Sequence, residues 1–356
     1  MRFRSLAAVL LAAFAAGALA QPKPAPTKPA QAAPAQPTPA QPTPAQEGDL
    51  ATFANRDTKD VQQRLELLTH TLYAQQQQII TILFRQEFGE RIRMKQVWFP
   101  ARDRTLVPSW VFTPGKMDPG KRYPAIVMVH GGFHEHFDER WFKKVDMAIS
   151  QGYVVIFPEY RGSRGYGAEI YKSDYGTLDT QDVIDASRYF AQQPFVDAGR
   201  LAIFGQSRGG MLTLLAIEHE PKLYAAAVDL VGLADFVAFM AYKPEWRRVE
   251  TAKENASFKG KTPDQNLPAY MAVSPIFGVD KIQTPLFVVA TTGDQIAPWE
   301  LHSGRLIDAL KARGKVHESK IYENAAGGHV FTDGDTEESR DALKRIFEFI
   351  GKYLKP

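Results

Sequence analysis

Cysteine is absent from all 356 residues. That excludes disulfide staples, thiolate nucleophiles and thiolate metal sites, and leaves the folded part to depend on its apolar core. Charge of one sign is lacking too: 43 Lys and Arg against 40 Asp and Glu leave a formal excess of +3. So small an excess gives no reason to expect a nucleic-acid partner, and Arg2, Arg4, Lys23 and Lys28 all precede the first acid, Glu47. Nor is there an apolar run long enough to cross a bilayer. The longest starts at Leu6 and covers about 15 residues, short of the ~20 that a spanning helix needs.

What that run does fit is a secretory signal. Two arginines precede it and Ala18-Leu19-Ala20 follows, the small-residue pattern of a cleavage site. The expectation is export, with cleavage after Ala20, to the periplasm or the medium, and no stable membrane insertion afterwards. Residues 21–46 are almost wholly Pro, Ala, Gln, Thr and Lys, including QPTPAQPTPAQ. Such a segment has too little apolar bulk to fold and reads as an extended spacer. A helical extension is expected over 47–90. Within it Val61, Leu65, Leu68, Leu72, Ile79 and Ile82 recur at helical spacings from Thr58 to Phe88. Packing of this helix on the following domain is the expected role; a short coiled coil joining two copies is the alternative, set back by its three-heptad length.

From Arg91 the pattern alternates strand and helix. A hairpin (Arg93–Phe99, Leu106–Thr113) is followed by near-continuous apolar runs at Ala125–Val129, Tyr153–Phe157, Leu201–Phe204, Ala225–Val231 and Pro285–Ala290, then His317–Tyr322. Helices are expected at Thr180–Gln192, Gly209–His219, Glu300–Arg313 and Glu337–Leu354. This is an α/β order: a mostly parallel, doubly wound sheet with helices on both faces over 91–356. The less regular stretch 235–272 is expected as a small cap.

Chemistry concentrates at four places. Gly205-Gln206-Ser207-Arg208-Gly209 fits G-x-S-x-G, with an apolar strand before it and a helical pattern after it. The glycines suit a tight strand-to-helix turn that lifts the Ser207 hydroxyl out of the sheet. A serine needs a base, and the base an orienting carboxylate. In the chain order Ser, acid, His, the acid falls on Asp294, in the loop after the penultimate strand. The base falls on His329, in the glycine-rich loop after the last strand. His302 is expected on the surface of a helix opened by Pro298, and His317 within a strand. Two backbone donors for an oxyanion are expected from the amides of Arg208 and of Gly132, in His130-Gly131-Gly132.

The segments HGGF (130–133), EYRGSRGYG (159–167), GQSRGG (205–210), SPIFGVDKIQTP (274–285), DQIAP (294–298) and GGH (327–329) together resemble the catalytic domain of the prolyl oligopeptidase family, nearest to acylaminoacyl peptidases. The resemblance covers roughly residues 120–354. It implies an α/β-hydrolase domain acting through Ser207, Asp294 and His329, with the Gly132 and Arg208 amides as oxyanion donors, and peptides as substrates. The family's peptidases usually carry a β-propeller before this domain; about 75 residues between spacer and core are too few for one. Carboxylester hydrolysis is the nearest alternative, and a non-catalytic envelope-binding protein the alternative of another class.

No cofactor or metal is expected. His130, His134 and His136 are read as lining the mouth of the site in preference to holding a metal. Asp333 and Asp335 are read as capping the last helix. The Arg208 side chain is read as pairing with Asp182 or Glu159, the alternative being contact with a substrate carboxylate.

Overall fold

The computed structural model describes residues 61–356; the expected signal and spacer, and residues 47–60, lie outside the described residues. Helix α1 (Val61–Phe88) leads into the hairpin β1 (Ile92–Pro100) and β2 (Leu106–Pro114). The rest alternates: β3 (Tyr123–Val129), α2 (Phe142–Ser150), β4 (Val154–Pro158), α3 (Ala168–Tyr171), α4 (Leu178–Ala191), β5 (Val196–Gln206), α5 (Arg208–His219) and β6 (Ala226–Leu230). Three short helices follow over the expected cap: α6 (Phe236–Ala241), α7 (Glu245–Glu254) and α8 (Leu267–Ala272). The chain then forms β7 (Leu286–Thr291), α9 (Ser303–Ala312), β8 (His317–Tyr322) and α10 (Glu337–Leu354).

The eight strands make one sheet in the order β1-β2-β4-β3-β5-β6-β7-β8. Only the β1–β2 and β2–β4 pairs are antiparallel. The central strands carry no polar face because both faces are covered, and alternate residues feed two cores. Ile126 and Met128 join Phe84, Val145 and Ile346 in one; Ala125, Val127 and Val129 join Val183, Leu212 and Leu306 in the other. A third cluster, built from α5, α6 and α8, includes Met211, Phe236, Phe239 and Tyr270.

One expectation needs refining and two need correction. Helix α1 packs on the domain as expected, but not chiefly through its 61–82 stripe, of which only Leu68 is half-buried. Ile80, Phe84 and Phe88 make the contact, with Phe84 ringed at 5.0–5.6 Å by Phe88, Phe112, Phe137 and Phe142. Six apolar residues at helical spacing identify a stripe, but three aromatic-rich positions on the opposite side bury more surface and decide which face turns inward. Helix α9 starts at Ser303, not at Pro298, because residues 299–302 form turns. His302 is fully buried: Nδ1 lies 3.4 Å from the Asp235 amide nitrogen and Nε2 3.0 Å from the Tyr242 hydroxyl. Burial lowers its pKa to about 4, which keeps the ring neutral.

Candidate active site

The turn between β5 and α5 is as tight as its glycines imply. A Cβ on Gly205 would lie 1.9 Å from the Gly209 carbonyl oxygen, and one on Gly209 would lie 2.0 Å from that of Val129. Neither position can carry a side chain. Between them Ser207 is held at φ +61°, a strained value for a residue with a Cβ, and its N–H donates to the Leu230 carbonyl at 2.9 Å. Strands β3 and β5 are neighbours, so the loop after β3 arrives beside this turn. Ligands gather at such strand ends in open α/β sheets.

Parallel pairing of β7 with β8 sets Thr291 opposite Tyr322 and so places the next two loops side by side. Thr291 Oγ1 accepts from the Gly293 and Ala325 amides, and Thr292 Oγ1 accepts from the Asn324 amide. In the first loop Asp294 Oδ1 accepts from the Ile296 and Ala297 amides, each at 2.8 Å. Its other oxygen, Oδ2, lies 2.7 Å from His329 Nδ1, and His329 Nε2 lies 2.7 Å from Ser207 Oγ. Serine, histidine and carboxylate, drawn from three strand ends, thus form one hydrogen-bonded line. Gly328 lets the loops close up: at φ +53°, a Cβ there would sit 2.9 Å from the Gly293 carbonyl oxygen.

Gly131 packs against the nucleophile, since a Cβ on it would lie 2.9 Å from Ser207 Cβ; Gly132 follows at φ +69°, and a Cβ there would run into the Glu135 side chain. Arg208 opens α5, so its N–H has no acceptor within the helix. The Arg208 side chain is buried and pairs with Asp179, not with Asp182 or Glu159: Nη2 donates to Asp179 Oδ2 at 2.6 Å. Asp182 instead takes Arg161, while Glu159 accepts from the Phe137 amide and the Tyr166 hydroxyl. The guanidinium also donates to the Phe133 carbonyl at 3.1 Å and to Ser173 Oγ at 3.2 Å, and stacks 3.7 Å from the Tyr175 ring centre. Burial works against its charge, but Tyr175, Asp179 and Tyr160 outweigh burial and hold its pKa above the ordinary value.

A cavity of about 230 Å³ opens over Ser207. Phe133, Tyr175, Leu233, Phe239 and Ile296 supply apolar surface; Glu135, Arg140 and Asp333 supply charge. None of these side chains is singled out by the sequence as lining the site, although Phe239 belongs to the cap expected at 235–272. Glu135 and Arg140 follow the HGGF segment closely and could have been suspected, whereas Tyr175 and Phe239 arrive from elements with no motif. The three histidines differ in setting. His130 is buried, 2.8 Å from Ser163 Oγ; His134 stacks on Tyr171 at 3.9 Å; His136 is buried, with its pKa lowered by burial to about 4. The last helix is capped by Thr336, whose side chain accepts from the Ser339 amide, and not by Asp333 or Asp335. Asp333 pairs with Lys144, and Asp335 with Lys143 and Arg340.

Comparison with known proteins agrees with this geometry. The chain is 26% identical over 262 residues to the uncharacterized peptidase YuxL of Bacillus subtilis (strain 168), covering 71% of this chain and 37% of that one. It is 31% identical over 230 residues to the acylamino-acid-releasing enzyme of Mus musculus, covering 63% and 31%. The chain thus spans about a third of the length of these curated relatives. Among solved structures, the Pyrococcus horikoshii acylaminoacyl peptidase superposes with a TM-score of 0.62 at 22% identity, over 77% of this chain and 43% of that one. A Mycobacterium tuberculosis puromycin-hydrolyzing peptidase gives 0.62 at 24% identity, over 74% and 39%. Both likenesses are of fold, the α/β-hydrolase architecture. The model of the prolyl oligopeptidase family matches residues 140–356, a span that holds Ser207, Asp294 and His329, and the chain belongs to that family of serine peptidases.

Proposed function

We propose that this chain cleaves short or N-acylated peptides by two-step acyl transfer at Ser207. His329 Nε2 takes the hydroxyl proton as Oγ attacks the scissile carbonyl, and Asp294 holds the imidazole by its Nδ1–H. The amides of Gly132 and Arg208 hold the developing oxyanion. His329 then returns the proton to the leaving amine, and water releases the acyl group by the same route. The observation that carries this reading is the unbroken line from Ser207 Oγ to His329 to Asp294, 2.7 Å at each step.

Carboxylester hydrolysis is the second reading, since the described residues ahead of the sheet form a single helix and the same triad accepts an activated ester. Aminoacyl-nitroanilides, acyl-peptides and p-nitrophenyl esters assayed side by side discriminate. The peptidase reading expects turnover of the acyl-peptides; turnover of esters alone contradicts it. We also propose export with cleavage after Ala20. N-terminal sequencing of the native protein should begin at Gln21, and a retained Met1 contradicts the proposal.

A further inference from the structure

Helix α1 has two apolar faces, and only one of them is used within the chain. Ile80, Phe84 and Phe88 are buried in the domain core, and Tyr73 stacks on Tyr171. On the opposite side Val61, Leu65, Leu72, Ile79 and Ile82 are 52–65% exposed, with Leu83 beside them at 46%. Together with half-buried Leu68 and exposed Gln75, the stripe runs 61, 65, 68, 72, 75, 79, 82. The steps are 4, 3, 4, 3, 4, 3. That is the a/d seam of a coiled coil sustained over three heptads, with Leu65, Leu72 and Ile79 at a and Val61, Leu68, Gln75 and Ile82 at d. It extends for about 32 Å along the helix.

We propose that this seam pairs with the same seam of a second copy of the chain, in parallel and in register. Four observations favour that occupant. A 4-3 spacing matches another helix in particular, whereas a groove or a flat sheet imposes no such period. Residues 21–60 contain only Leu50 and Phe53 as large apolar residues, too few to match a seam of seven layers. The flanking positions are mostly uncharged, Thr69, Thr71, Gln76, Gln78 and Leu83, with Arg64 and Arg85 as the cations; a helix that lies on lipid carries a denser Lys/Arg border. Finally, an antiparallel partner that matched these layers would bring Arg64 of one copy to Arg85 of the other, and parallel pairing keeps them apart.

Three heptads make a marginal coil as a free peptide, because pairing must also order the helix. Here the helix is already ordered by Phe84 and its neighbours, so association spends little on ordering. The anchored face also limits assembly. With the far side of each helix occupied by its own domain, each seam has room for one partner helix.

The absence of native cysteine makes the test clean. At micromolar concentration, light scattering after gel filtration should give the wild-type protein twice the chain mass. Leu65→Glu/Leu72→Glu should give the single-chain mass, with unchanged circular dichroism and an unchanged rate of fluorophosphonate labelling. Leu65→Cys should oxidise to a disulfide-linked dimer, since equivalent a positions face each other only in the parallel register. A monomeric wild type overturns the proposal, whether or not it then binds anionic vesicles. A dimer that survives the two glutamates places the interface elsewhere and also overturns it. A dimer in which Leu65→Cys does not cross-link overturns the parallel register.

Discussion

Helix α1 and the turn at Gly205–Gly209 both tie a helix to the sheet, yet they are specified in opposite ways. Every atom around the turn is constrained. Two glycines press against backbone, Ser207 is strained, and the Arg208 side chain reaches across to the neighbouring loop. Helix α1 is held by one face, from Tyr73 to Phe88, and leaves most of the other face to solvent. Sites of chemistry are over-determined locally, whereas a peripheral helix needs only enough buried surface to stay docked.

If the turn is over-determined, losses there should be large and should fall on the chemical step. The largest expected effect is at Asp294. Replacing it with Asn frees His329 to adopt the wrong tautomer and should lower kcat by about 10⁴-fold, with KM little changed. Unaltered steady-state kinetics would break the account of the triad.

Arg208 offers a sharper probe, because its backbone would supply one oxyanion donor while its guanidinium holds the loop that carries the other. Arg208→Met should lower kcat by about 10–100-fold, less than outright loss of a donor. Arg208→Lys should not restore it, since a lysine lacks the planar fork that bonds Asp179, Ser173 and Phe133 together. Loss of stability is separable from loss of chemistry. Arg208→Met/Asp179→Leu removes both buried charges and should recover folding while kcat stays low. Recovery of kcat in the double variant would reduce Arg208 to a fold-stabilising residue.

On the helix side, Phe84→Ala empties an aromatic site and should cost about 3–5 kcal/mol in denaturant unfolding. A loss under 1 kcal/mol would mean that the docked face contributes little to holding α1, contrary to its ring contacts.

The smallest expected effect is a pH slope. Burial raises the Glu159 pKa to about 8, above its unfolded value of about 4.3. Its contribution to stability is therefore full below the unfolded pKa and is lost as the pH rises through about 8. Glu159→Gln should flatten the fall of the unfolding midpoint over that window, leaving the opposite acid-side slope of His136 and His302, whose pKa values burial lowers to about 4. An unchanged alkaline slope in Glu159→Gln contradicts the assignment.

Much of the sheet and the line of the triad was legible because strand runs, glycine turns and the Ser–Asp–His order are local patterns with physical causes. What was not legible depends on choices among equivalent partners. Asp179 and Asp182 lie three residues apart on α4, and sequence cannot say which one meets Arg208 and which Arg161; the turn geometry does. The same limit hid the cavity's Tyr175 and Phe239. It also left open which face of α1 meets the domain, since period alone identifies a seam and Ile80, Phe84 and Phe88 lie outside it. His302 reads as an exposed helix residue until Asp235 and Tyr242 are seen to enclose it.

The central claim is that Ser207, activated by His329, is the nucleophile of an acyl-transfer enzyme. Labelling with a fluorophosphonate probe, followed by mass spectrometry of the modified peptide, tests it most directly. The account predicts stoichiometric adduct on Ser207, none in Ser207→Ala, and labelling slowed by orders of magnitude in His329→Ala. Equal labelling of Ser207→Ala, or no labelling of the wild-type protein, would contradict it.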